Sequence, residues 1–358
     1  MVEREVIRRI IIEGQEFVNE ISLTERPFFF EQKGNYVFVG IRQAGKSYLL
    51  YQRIQQLLRE EHNINEIVYI NFDDERLRQM TADDLDLILQ AYHSLFDLRP
   101  LLFFDEIQNI EGWEHFARRL ANQKYNIYIT GSNAKMLSRE IATTLGGRFW
   151  NKDVYPYSFA EYLNARDIIL SKNWMYGKQA AEVSKAFNDY FLYGGFPELT
   201  DVIAKRVWLN DIYSKIFFSD LIVRNKVRNE EALGLLVRRL AENVKQPVSY
   251  TRLANLISSI GIKISKATVI EFIRYLKESC LIFPIENYAA KFAERNSNMK
   301  HYFIDNGLLS IFLLDGNTSL LENIVAIHLY KRYGAQLYFY NQNIEVDFVI
   351  PEAKTAIQ

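Results

Sequence analysis

Residues 40–47 read Gly40-Ile41-Arg42-Gln43-Ala44-Gly45-Lys46-Ser47 and fill the spacing G-x-x-x-x-G-K-S completely. Each part has a physical task. Glycines let backbone N–H groups turn inward around a polyphosphate, a lysine sets an ammonium against its outer phosphates, and a serine hydroxyl can ligate Mg2+. Residues 40–48, ending in Tyr48, are the candidate nucleotide-binding loop, and ATP with Mg2+ is the expected ligand. A second pair, Asp105-Glu106, follows the apolar run 101–104. The aspartate can share the metal with Ser47, and the glutamate can act as general base on the attacking water. A third polar tip is Thr130-Gly131-Ser132-Asn133. Asn133, with Ser132 behind it, is the candidate to hold that water or the γ-phosphate; the same residues read equally well as a helix cap.

These groups act together only if the chain carries them to one edge. YVFVG (36–40), EIVYINF (66–72), RPLLFFDE (99–106) and NIYITGS (126–132) read as strands, while 46 onward, 81–96 and 112–123 read as helices. Strands alternating with helices predict an α/β fold, a parallel sheet covered on both faces, with ligands at the carboxyl ends of its strands. A leading helix precedes this over 1–22. The expected domains are a P-loop ATPase domain at 1–156, a helical region at 157–245, a winged helix at 246–310 and a partial α+β segment at 311–358.

Bulk composition narrows the classes. The chain has 358 residues, too many for one compact core, and its 44 acids against 43 lysines and arginines leave a net charge of −1, so a nucleic-acid surface would have to be a local basic patch. The single cysteine, Cys280, excludes an internal disulfide framework and a cysteine-rich zinc site and fits a reducing cytosol. No apolar run approaches the about 20 residues that span a bilayer, so a cytoplasmic protein without membrane attachment is expected.

The extra strand at 66–72 and the glutamate after Asp105 make the chain resemble the additional-strand, catalytic-glutamate class of P-loop NTPases, which includes the AAA+ proteins. More closely, it resembles a prokaryotic AAA-type ATPase family whose members end in a domain of unknown function. GIRQAGKSYLL, YINFDDERL, LLFFDEIQNIEGWEHFARRL, YITGSNAKML, LGGRF, YPYSFAEYL and YGGFPE carry that resemblance across about the first 200 residues. It implies a catalytic role for Arg148 of LGGRF, a finger on the γ-phosphate in cis or in trans.

Downstream, residues 253–288 resemble a winged helix, with one helix at 251–258, a turn at Gly261, a second helix from about Ser265 and wing strands from CLIFPIENY and HYFIDNGLL. Lys263, Lys266, Arg274 and Lys277 on or near the second helix are candidate contacts to double-stranded DNA. The last segment resembles the metal-binding core of restriction-endonuclease-like folds. Glu322 and Asp347 would be its acids and Gln358 would hold the third position, whereas the lysine such a core needs is missing from the chain, and Lys354 does not fit its place. The sheet is then either cut short at Gln358 or degenerate, and no DNA cleavage is expected.

The function expected is an ATPase that couples nucleotide state to a partner, DNA or another protein, as a monomer or homo-oligomer. A slow nucleotide-gated switch acting through protein contacts is the rival. A nucleoside kinase is a third reading, opposed by Glu106 beside Asp105, which points to water as the nucleophile.

Overall fold

A computed structural model describes residues 2–31, 33–132, 143–291, 295 and 298–358. The chain divides into two compact units at Val154/Tyr155, two residues before the division expected at 156.

The first unit is a five-stranded sheet of β1 (Asn35–Val39), β2 (Ile67–Asn71), β3 (Leu101–Asp105), β4 (Ile127–Gly131) and β5 (Phe149–Asp153), in the order β2-β3-β4-β1-β5. All its pairings are parallel. The strands form because their aromatic and β-branched runs are buried on both faces, as a helix-covered parallel sheet requires. Tyr36, Tyr128 and Phe103 stack face to face across β1, β4 and β3, with centroids 5.8 and 4.6 Å apart. β4 therefore lies between the P-loop strand and the Asp105 strand, and the first unit is a P-loop NTPase α/β fold. The helices are α1 (Arg4–Glu20), α2 (Lys46–Arg59), α3 (Asp86–His93) and α4 (Trp113–Asn122). The helix expected over 81–96 is shorter than predicted. Thr81 forms a capping box with Asp84, but it caps a 3-10 turn (Ala82–Asp84) that precedes α3. β5 was not foreseen, since FWNKD is an edge strand that ends in three consecutive polar residues and buries none of its side chains fully.

The second unit opens with helices α5 (Phe159–Ala165), α6 (Gln179–Tyr193), α7 (Lys205–Lys215, continued by a π-helical stretch Ile216–Val223) and α8 (Glu230–Glu242). Then come β6 (Val248–Ser249), α9 (Tyr250–Ser258), α10 (Lys266–Glu278), β7 (Ile282–Asn287), β8 (Asn298–Phe303), α11 (Asn306–Ser310), α12 (Asn317–Tyr333), β9 (Tyr338–Asn341), β10 (Glu345–Ile350) and β11 (Thr355–Ile357). The division expected between 310 and 311 is not a break in the structure. The hairpin β7–β8 and strands β9–β11 share one sheet, ordered β11-β10-β9-β7-β8-β6, because β9 pairs with β7 in parallel at Glu286↔Tyr338 and Asn287↔Phe339.

The phrase YGGFPE has a structural explanation. Gly194 sits at φ 79°, where a Cβ would lie 1.9 Å from Asp305 Oδ1. The Gly195 N–H donates to Asp305 Oδ2 at 2.7 Å, and Tyr157 N–H donates to the Gly195 carbonyl at 2.6 Å. The two glycines thread the backbone between Tyr157 and the buried Asp305. No helix among the described residues is long and apolar enough to cross a membrane.

Candidate nucleotide-binding site

The loop between β1 and α2 takes the shape its glycines permit. Gly45 is left-handed at φ 90° and starts α2. Gly40 must lack a side chain because a Cβ would meet the Val154 carbonyl oxygen at 2.0 Å, where β5 runs alongside β1. Ile41 and Ala44 are fully buried and anchor the loop, while Arg42, Gln43 and Ser47 are partly exposed and Tyr48 is half exposed. The loop leads directly into the N-terminus of α2, an arrangement suited to phosphate.

Lys46 is 4 % exposed, and its Nζ donates to the carbonyls of Gly40 (3.2 Å) and Ile41 (3.1 Å) and lies 3.7 Å from Glu106 Oε1. Asp105 is buried at the end of β3. Its Oδ2 accepts the Tyr69 hydroxyl at 2.8 Å, its Oδ1 accepts the Thr130 hydroxyl, and Ser47 also hydrogen-bonds it. Burial pushes the Asp105 carboxyl above the usual carboxylate range; the hydroxyls of Ser47 and Thr130 oppose that, and the neighbouring Glu106 charge adds to it. Ser47 and Asp105 thus present hard oxygen donors to one another, a donor set that fits Mg2+, which takes few protein ligands.

Glu106 has left-handed backbone at φ 52°, which turns the chain off the strand tip. Its N–H donates to Thr130 Oγ1 at 3.0 Å, and its carboxylate accepts the Gln108 amide as well as lying beside Lys46. Gln108 Nε2 also reaches Ser132 Oγ at 3.4 Å. Thr130 therefore binds both neighbours, donating to Asp105 and accepting from Glu106. Lys46, Ser47, Asp105, Glu106 and Ser132 meet at one edge of the sheet, as their spacing predicts; Asn133 lies outside the described residues. Sequence reasoning missed Tyr69 and Gln108, and it named Thr130 in the polar strand tip without giving it a role. Their only signal was position, at or beside the carboxyl ends of β2, β3 and β4.

Residues 32–163 match the family model described as an AAA domain, and residues 184–319 match a domain of unknown function. Over its whole length the chain is 32% identical to MJ1544, an uncharacterized protein of Methanocaldococcus jannaschii, of which the match covers 82%. This chain belongs to the MJ1544 family. An uncharacterized Haemophilus influenzae protein is also similar, at 30% identity over 88% of this chain and 79% of that protein. Among solved structures, a Walker-type ATPase of Pyrococcus abyssi is similar at 13% identity, with a TM-score of 0.48, over 87% of this chain and 96% of that one.

Other expected residues of this MJ1544-family chain fall elsewhere. Arg148 precedes β5, and the register pairs Asn35 with Phe149 and Val39 with Asp153. Arg148 is therefore at the amino-terminal end of β1, level with residue 34 and about 20 Å along the strand from Gly40 at 3.3 Å per residue. The cis alternative is corrected on this ground: a guanidinium there does not reach its own P-loop. Arg148 is exposed, with Nη1 donating to the Gly146 carbonyl at 3.1 Å, and it lines an open hollow with Lys33, Arg99 and Lys124.

Lys263, Lys266, Arg274 and Lys277 are all exposed on or just before α10. Arg274 lies 4.0 Å from Glu271 and 3.8 Å from Glu278, so acids on the same helix dilute this patch. Ser265 caps α10 by accepting the Thr268 N–H. The buried residues of α10 are Val269, Phe272, Ile273, Tyr275 and Leu276, while Ile270 is exposed.

Glu322, Asp347 and Gln358 do come together, since the Asp347 N–H donates to Gln358 Oε1 at 3.2 Å. The group at their centre is one the sequence reading overlooked. The fully buried Lys300 of β8 donates to Asp347 Oδ1 (2.9 Å) and Glu322 Oε1 (3.2 Å) and lies 3.5 Å from Glu345. Burial alone would lower the Lys300 ammonium, but the carboxylates outweigh it and hold it above its ordinary value. The expectation that no lysine serves this cluster is thereby corrected: β8, expected as a wing strand, supplies one from a distant part of the sequence. No group of three or more His, Cys, Asp or Glu among the described residues is placed to hold a metal.

Proposed function

We propose that this protein binds Mg-ATP at the 40–48 loop and hydrolyses it to drive a change in its grip on a partner. The observation that carries the reading is the convergence of Lys46, Ser47, Asp105 and Glu106 at the carboxyl ends of β1 and β3. Loop amides and Lys46 would hold the β- and γ-phosphates once the ammonium exchanges its contacts with the Gly40 and Ile41 carbonyls for phosphate oxygens. Ser47 and Asp105 would hold Mg2+, which when bound neutralises charge on the phosphates. Glu106, released from Lys46 and Gln108, would orient and deprotonate the attacking water. Ser132, with Asn133, would complete the polar edge.

Arg148 serves in trans in this reading. Its place at the opposite end of β1 lets it act only on the nucleotide of a second copy, so the active form is a homo-oligomer. The two helices α9 and α10 with the β7–β8 hairpin support a winged helix, whose exposed Lys263, Lys266, Arg274 and Lys277 would meet duplex phosphates. The Lys300-centred cluster supports an ionic, metal-free relative of a nuclease core.

Calorimetry with Mg-ATP and a steady-state hydrolysis assay test the central claim. Uptake that Lys46→Ala abolishes, together with turnover, is expected; no uptake by the wild-type chain overturns it. The contacts of Glu106 with Lys46 and Gln108 favour one second reading, a slow switch working through protein contacts. Single-turnover and steady-state rates with and without duplex DNA separate the two: DNA stimulation that falls steeply with salt favours the ATPase coupled to DNA.

A further inference from the structure

The buried Tyr69 of β2 donates its hydroxyl to Asp105 Oδ2 at 2.8 Å, and the Tyr51 hydroxyl of α2 lies 2.9 Å from that of Tyr69. A phenol carries one proton. Because Tyr69 spends its proton on Asp105, Tyr51 must donate to the Tyr69 oxygen, so the chain runs in one direction, Tyr51 to Tyr69 to Asp105. Donors in series polarise one another and strengthen the terminal bond. Thr130 meanwhile holds Oδ1, so both oxygens of Asp105 are pinned from opposite neighbouring strands.

Burying two phenol hydroxyls among apolar strands costs free energy that phenylalanine would not incur. Their rings already pack edge to face at 5.2 Å, and Tyr51 packs likewise on the half-exposed Tyr48 at 5.5 Å, so the aromatic contacts do not require the hydroxyls. What the hydroxyls add is a carboxylate held in one orientation.

We infer that Tyr69, backed by Tyr51, is a positioning residue for the metal: it orients Asp105 so that the Mg2+ of Mg-nucleotide binds in one geometry. This rests on the Mg-ATP reading above. Outer contacts of this kind set metal affinity over about 10- to 100-fold.

The test uses the full chain with a non-hydrolysable ATP analogue. Its affinity is measured in EDTA and across a Mn2+ titration, with metal binding followed by electron paramagnetic resonance. Tyr69→Phe is expected to weaken Mn2+ binding in the nucleotide complex about tenfold, to change the Mn2+ signal, and to leave analogue affinity in EDTA unchanged. Tyr51→Phe should move the same readouts in the same direction by a smaller factor, about threefold. Unaltered Mn2+ affinity in a folded Tyr69→Phe overturns the inference. So does an equal loss with and without metal, which would make Tyr69 a packing residue. If Tyr69→Phe fails to fold, Tyr51→Phe decides, and wild-type Mn2+ affinity in that variant likewise overturns the inference. A wild-type chain that takes up no metal–nucleotide overturns the Mg-ATP reading itself, and the inference with it, a result distinct from normal uptake with insensitive variants.

Discussion

Thr130 shows how few atoms organise the candidate site. One hydroxyl satisfies Asp105 and the Glu106 N–H together, so the metal-binding and base-bearing residues share a single brace. Thr130→Val keeps the shape and removes both bonds. We expect hydrolysis to fall by at least tenfold with little change in nucleotide affinity, as read by steady-state rates beside calorimetry, because the loop and Lys46 are untouched. Glu106→Gln keeps the volume and loses the base. Its expected signature is retained Mg-ATP binding with turnover lowered about 10²- to 10⁴-fold. Wild-type turnover in Glu106→Gln would refute the base assignment.

The turn between α6 and α7 and the strand β8 are where packing makes its sharpest demands. Gly194→Ala would place a methyl group into the Asp305 carboxylate at a left-handed backbone position, and a loss of roughly 3 kcal/mol is expected, visible as a lower thermal midpoint. Two buried groups nearby act oppositely on acidification. Burial, with Lys277 adding, lowers the His301 imidazole to about 4, so its stabilising share is present above the unfolded pKa and lost as pH falls through about 4. Burial raises Asp305 to about 6 against the pull of three backbone N–H donors, so its share is present at low pH and lost as pH rises through about 6. Each shift corresponds to about 3 kcal/mol, and in the window from pH 4 to 6 the two offset each other. His301→Phe should therefore leave Asp305 unopposed. Chemical denaturation at pH 6 and pH 4 should show this variant becoming more stable relative to wild type as the pH falls, and parallel profiles would contradict it.

For the molecule as a whole, the consequential feature is the distance between Arg148 and its own P-loop. If Arg148 serves a second copy, Arg148→Ala and Glu106→Gln impair different halves of a shared site. Each variant alone should be nearly inactive, while an equimolar mixture should regain measurable turnover that rises with protein concentration. A mixture that stays inactive while both variants self-associate would contradict the trans role. The net charge of −1 confines any DNA contact to a local basic patch; for the one on α10, salt-sensitive binding weakened by Lys263→Ala and Lys266→Ala together is the outcome expected.

The phosphate loop was legible because its chemistry is local. Eight consecutive residues set the backbone shape, and apolar runs with period-specific spacing announce the strands and helices on either side. Asp105 and Glu106 were legible for the same reason, as polar residues ending a buried run. Contacts between strands were not, since a hydroxyl on β2 or β4 finds Asp105 only once the order β2-β3-β4-β1 exists. Tyr69 in EIVYINF looks like any strand aromatic until pairing sets it one strand away from the metal position. For Arg148 the sequence left a cis role open, which the parallel pairing of β5 with β1 removes by placing its amino end away from the loop. Lys300 is the plainest case: it stands 22 residues before Glu322 and 47 before Asp347, and only a sheet that merges the hairpin with β9–β11 lets one ammonium bind them both. Short-range periodicity and turn chemistry are written along the chain, whereas the meeting of distant side chains depends on which edges pair, a choice made by the burial of the whole core.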